Sequence, residues 1–193
     1  MALTQGARNK IKSIVQSAKK LLMKEFESQL QQYYGIRPDG TCLLVEELTS
    51  REASVIETAR LLRQRLHYLE EGIAGSNKAP EAVRQLIREQ AFTILNRFAA
   101  VRMSEERNII RESIRRGYNS EGFLVYDQLT GGAKTAEQFT RYTWYIGHVF
   151  DELAIDLPAV FDRFSPYALL FPSEKVLLEL LEIINDEDLN IYR

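Results

Sequence analysis

The chain carries a single cysteine, Cys42, among 193 residues, which excludes an internal disulfide. A reduced, cytoplasmic setting is the expectation that follows. Five prolines and ten glycines leave little room for disordered linkers. No apolar run approaches the length of a membrane span, and the N-terminus lacks a signal-peptide core, so a soluble protein is expected. The two histidines, His67 and His148, lie far from each other and from Cys42, and no H-x-x-x-H or C-x-x-C pattern occurs. That leaves no ligand set with metal spacing. Gly131-Gly132 has neither the Lys-Ser/Thr of a phosphate loop nor the spacing of a dinucleotide fingerprint, and reads as a turn. Nothing pairs Cys42 or a serine with a histidine in a local nucleophile signature. No catalytic, cofactor-binding or metal-binding residue is therefore assigned.

What is present is helical periodicity. From Gln5 to Tyr34, Ala7, Ile11, Ile14, Ala18, Leu21, Leu22, Phe26, Leu30 and Tyr33 recur three or four apart. Gly35 and Pro38-Asp39-Gly40 end that run. Cys42 to Val45 reads as a strand fragment or a packed loop. Thr49-Ser50-Arg51-Glu52 has the form of a capping box before a second helix, with Ile56, Ala59, Leu62, Leu66 and Leu69 inward. A third helix spans Pro80 to Asn108, its proline suited to a first turn. The apolar Ile109, Ile110 and Ile114 predict that it continues to Arg116. Phe123 to Tyr126 reads as a strand or a buried helical turn. A second capping box, Thr135 to Gln138, opens a helix to about Asp156. Pro158, Pro166 and Pro172 break up the stretch that follows, and Ser173 caps a last helix, Glu174 to Ile184. The expected fold is all-α, an irregular bundle of about five or six helices with at most one short strand or extended segment. It is read as one domain, 1–193, with a basic part at 1–79 and a central-helix part at 80–193.

A chain with 27% charged and 45% apolar residues and a net charge of −2 is ordinary for a globular domain. The distribution of charge is less ordinary. Residues 1–24 hold six cations and no acid, whereas residues 151–189 hold ten acids against Arg163 and Lys175. Lys10, Lys12, Lys19 and Lys20 are candidate contacts to a nucleic-acid backbone. A solvated helix face, or a contact within the protein, explains the same pattern. Asn96, Arg97 and Arg102 adjoin the apolar stripe of the third helix. They read as structural polar groups, with the guanidiniums tying carbonyls or a carboxylate such as Glu89 or Glu105. Ser165-Pro166-Tyr167 has one proline where an amino-methyltransferase loop has two. It reads as a turn with its tyrosine packed inward.

The stretch AFTILNRFAAVRMSEERNII resembles a block that precedes the catalytic domain in large bacterial adenine-specific DNA methyltransferases of phage-exclusion and type IIG restriction–modification systems. Phe92, Asn96-Arg97-Phe98, Ala100, Arg102-Met103 and Glu106 carry the resemblance. Downstream, FDRFSPYALLFPSEKVLLELLEIINDEDL resembles the segment that leads toward the methyltransferase domain. The resemblance covers Pro80 to Leu189. It implies that S-adenosylmethionine binding and catalysis lie in a C-terminal α/β domain, and that this chain is an N-terminal helical piece with no cofactor of its own. Its implied partners are that catalytic domain and, through the parent enzyme, DNA, with no membrane. A rival of another class is a stand-alone helical adaptor that binds a protein through its apolar C-terminal helix. A helix-turn-helix repressor would need a compact basic recognition unit, which the sequence lacks.

Overall fold

The computed structural model describes residues 4–50, 52–131 and 136–186. Among them are seven α-helices: α1 Gln5–Gln32, α2 Ala53–Gly72, α3 Lys78–Glu106, α4 Glu121–Leu129, α5 Gln138–Ala154, α6 Pro158–Phe161 and α7 Glu174–Ile184. The all-α expectation holds, and the only β pairing among the described residues is an isolated antiparallel bridge, Ile36 to Cys42. No described helix is long and apolar enough to cross a membrane. The helices form two compact units. Residues 79 and 80 lie inside the first turn of α3, within one of them.

One unit holds residues 20–94 and 164–172. Its core joins Leu22, Phe26 and Leu30 of α1 to Leu62 and Leu66 of α2 and Leu86, Ala91 and Ile94 of α3. The Pro38-Asp39-Gly40 turn forms as expected. Asp39 Oδ1 accepts from the Thr41 amide at 2.9 Å and from its hydroxyl at 2.7 Å. Gly40 is required twice over, by φ +90° and because a Cβ there would meet Ala79 Cβ at 2.4 Å. Cys42 to Val45 is a loop that runs into a 3₁₀ turn, Val45–Glu47, and it is not packed: Cys42, Leu43 and Leu44 are exposed, Leu44 by 64%. Residues 164–172 form a strap bonded to α3 that includes a turn, the Ala168 amide donating to Ser165 O at 3.0 Å. Gln90 is fully buried and holds it from both ends of its amide, donating to Pro166 O at 2.9 Å and accepting from the Leu169 and Leu170 amides. Gln29 donates to Phe171 O at 2.9 Å.

The other unit holds residues 1–19, 95–163 and 173–193. Phe98, Val101, Tyr142, Ile146, Phe150, Phe161 and the α7 residues Leu177, Leu180 and Leu181 are its buried centre. The Phe98 and Phe150 rings meet edge to face, 6.0 Å apart at 88°.

Three local expectations are corrected, and the open choice at Phe123 to Tyr126 is resolved. The helix predicted through Arg116 ends at Glu106. Asn108 takes φ +56°, its amide bonds Glu105 O, and the Ile109 amide bonds Ser104 O, which is a Schellman stop. Ile109 is left 66% exposed while Ile114 is fully buried, so their apparent stripe belongs to a loop and not to a helix face. The Thr49 capping box does not form, because α2 begins at Ala53 and the Glu52 amide bonds Ser50 Oγ instead. Phe123 to Tyr126 is helical, inside α4. Tyr167 does not pack inward: it is 44% exposed and lies over the Arg65 guanidinium, 4.5 Å away. Thr135 and Gly132 lie outside the described residues.

Gly122 in α4 sits where a Cβ would meet Tyr145 Oη at 2.0 Å and the Glu112 carbonyl at 2.9 Å. Gly122→Ala is expected to lower unfolding stability by about 1–3 kcal/mol, as overpacking does. Urea denaturation checks this, and a variant as stable as the parent would refute the tight packing.

Candidate nucleic-acid interface

Thr4 Oγ1 accepts from the Ala7 amide at 3.2 Å and starts α1. The first part of the helix buries Ala7 and Ala18 and leaves Arg8 and Lys12 exposed, with Lys10 and Lys19 half-buried. Ile11 and Val15 are also exposed between these cations. Lys20 is exposed at the start of the residues that belong to the other unit. Of the four candidate lysines, Lys10 is engaged by an acid: its Nζ lies 2.8 Å from the Asp186 carboxylate. Lys12 and Lys20 present ammonium groups to solvent, where a phosphate oxygen can take them.

The polar residues of α3 divide sharply. Asn96 is exposed. Its expected role in docking helices is corrected, because one residue further on the helix turns its face inward and Arg97 takes that role. Arg97 is 3% exposed; its Nε donates to Val160 O at 2.8 Å and its Nη2 to Asp162 O at 2.5 Å. Its guanidinium also faces the Phe150 ring at 5.4 Å. Burial pulls the Arg97 pKa down, and the Asp162 charge opposes that shift. Arg102 donates from Nε to Asn185 Oδ1 at 2.9 Å and pairs through Nη1 with Glu106. Glu89 is held elsewhere, by a two-pronged bond from Arg65 at 2.9 and 3.0 Å.

Glu105 closes the loop after α3. One carboxylate oxygen accepts from the Ser113 amide at 2.6 Å and the Ile114 amide at 2.5 Å. Ser113 Oγ lies 2.6 Å from Tyr145 Oη, and Tyr142 Oη donates to Ser113 O at 2.9 Å. Burial raises the pKa of Glu105, against the lowering effect of the two amides and Arg102. Burial also raises both tyrosines. Above this loop is a cleft of about 870 Å³ lined by Arg102, Glu105, Glu106, Arg111, Arg115 and Glu121 among others. Arg111 pairs with Glu121 at 3.2 Å and Arg115 approaches Glu106 at 4.0 Å, so the charges of the wall answer one another. No group of three or more His, Cys, Asp or Glu among the described residues is placed to hold a metal ion.

No family model, curated protein or solved structure matches this chain. The arrangement itself divides the cations by what they can do. Arg97 and Arg102 are committed to internal partners and act as fasteners. The exposed cations of α1 are available for phosphate oxygens. The apolar side of α7, which an adaptor would offer to a partner, is buried at Leu177, Leu180, Leu181 and Ile184. Gln90, Glu105 and Asp186 carry much of the local organisation. Gln90 falls three or four residues from Leu86, Ile87 and Ile94, on the side of the helix that carries the stripe, and nothing local marked the other two.

Arg97→Leu would leave the Val160 and Asp162 carbonyls without a donor. The expected loss is about 3 kcal/mol of unfolding stability, the scale of hydrogen bonds from a charged donor. Equilibrium urea unfolding measures it, and a loss below that of an exposed Arg→Leu control would refute the clamp. Glu105 supplies a pH signature. Its folded pKa stands above the ordinary glutamate value, so the native state holds the proton more tightly than the unfolded chain. Its contribution is present in full below the ordinary glutamate range and is lost as pH rises through the folded pKa. Glu105→Gln should flatten the fall in thermal midpoint across that window; an unchanged pH profile would refute the assignment.

Proposed function

We propose that this chain is a non-catalytic helical domain of an S-adenosylmethionine-dependent, adenine-specific DNA methyltransferase from a restriction–modification or phage-defence system. It supports the catalytic domain and contacts the DNA backbone through the basic first helix. One observation carries the supporting role. Two stretches with the family resemblance meet through Arg97 of the α3 block, which bonds the carbonyls of Asp162 in the downstream segment and of Val160 just before it. The same downstream segment continues into the strap held by Gln90. Arg97, one of the residues that carry the resemblance, thus positions the chain, which is consistent with a supporting domain. The cofactor is expected in the parent's α/β domain. The cleft beside Glu105 is not assigned to it, since the wall charges there already pair with one another.

The exposed cations of α1 support the second part of the reading. Six positive charges in residues 1–24 with no acid among them favour a polyanion, and each phosphate engaged adds affinity that declines with salt. Purified chain is expected to bind no S-adenosylmethionine in calorimetric titration and to methylate no DNA. Replacing Lys10, Lys12, Lys19 and Lys20 by glutamine in the parent enzyme should weaken binding evenly across sequences. The slope of log K against log salt should fall by about one for each phosphate that the enzyme no longer neutralises. Cofactor binding by the chain alone would refute the non-catalytic role, and an unchanged salt slope would refute the DNA contact.

A further inference from the structure

The chain separates its charges, cations at the start and acids at the end, and the fold brings the two groups together at Lys10 and Asp186. Asp186 follows α7 by two residues, and its place is set by the residue before it. Asn185 accepts from Arg102 Nε at 2.9 Å and donates to Ile114 O at 3.0 Å, so the end of α7 is pinned on both sides of its amide. Asp186 is thereby delivered to α1 by anchored backbone. The Lys10–Asp186 pair is about one-third open to solvent, with side-chain exposures of 30% and 34%. Pairs at this depth are weak and sensitive to salt, so a stronger anion can take the cation.

We propose that Asp186 is an intramolecular competitor for the DNA backbone: it occupies Lys10 in the free protein and is displaced when a phosphate binds there. This rests on the reading that α1 meets DNA. Exchange of one carboxylate for one phosphate yields less net attraction than capture of a solvated lysine. The first helix therefore binds less tightly than its lysine count implies, and neutralising Asp186 releases the difference. Lys12, which is exposed, stays outside this exchange and contributes its full charge.

The test uses the whole chain and a fluorescein-labelled short duplex of arbitrary sequence, with anisotropy titrations over a series of sodium chloride concentrations. Asp186→Asn is expected to tighten binding about threefold at low salt and to steepen the salt slope by about one, the signature of one more neutralised phosphate. Asp156→Asn removes the same charge from an exposed acid of the same unit and measures the general effect of net charge. Lys10→Gln should cost less than Lys12→Gln in the parent background. In the Asp186→Asn background the gap between the two should narrow. If Asp186→Asn binds no tighter than Asp156→Asn while Lys12→Gln still weakens binding, the competitor is overturned and the DNA reading stands. If neither the parent nor Asp186→Asn binds the duplex in a salt-dependent way, both fail together.

Discussion

A buried guanidinium with nowhere to send its charge would unfold the region around it, so the placement of Arg97 constrains everything near it. It is buried against the Phe150 ring, in the region where Phe98, Phe150 and Phe161 pack. Two backbone carbonyls of the α6 region are what make that position tolerable. The need is mutual. The carbonyls of Val160 and Asp162 belong to a stretch broken by prolines, where regular helix bonding is interrupted and acceptors are left over. An arginine serves two such acceptors from a rigid planar fork and is more weakly hydrated than a lysine ammonium, so it loses less on burial. The end of α5, the short α6 and the middle of α3 therefore have one mutually satisfactory arrangement.

The same logic recurs with different chemistry. Glu105 does for the loop after α3 what Arg97 does for the turn at α6, collecting two free amides with one carboxylate oxygen. Gln90 does it for the strap, using both ends of a neutral amide. All three side chains come from α3, a helix of 29 residues, and each bonds backbone groups of a short or irregular segment. This explains why one helix carries so many polar residues beside its apolar stripe. They are partners for irregular backbone, and their burial is offset by the bonds they complete.

The functional reading follows from which charges this internal bonding uses up. Arg97 and Arg102 are committed, Arg65 is held by Glu89, and Lys10 by Asp186. Lys12 and Lys20 face solvent. The proposed DNA contact draws on these exposed cations, in a stretch, residues 1–24, that has no acid of its own. The resemblance to methyltransferase N-terminal regions and the charge pattern point the same way, although they rest on different residues.

Local spacing was enough to reveal α1, α2, α3, α5 and α7, because each buries a stripe that repeats with the helical period and each begins or ends at a readable residue. The turn at Asp39-Gly40 was legible for the same reason, since its bonds close within three residues. Periodicity misled at Ile109, where a left-handed Asn108 turns the chain and Glu105 stabilises the exit with two hydrogen bonds. The candidate lysines were visible as charge, but not their division into engaged and exposed. Asn96 and Arg97 looked alike in sequence, and a 100° step around α3 put one in water and the other in the core. Sequence alone determined where the helices run and where the charge collects, because both depend on near neighbours. Tertiary structure decided which polar groups are fasteners and which remain available, because Arg97, Gln90 and Lys10 find their partners 63 residues or more away along the chain.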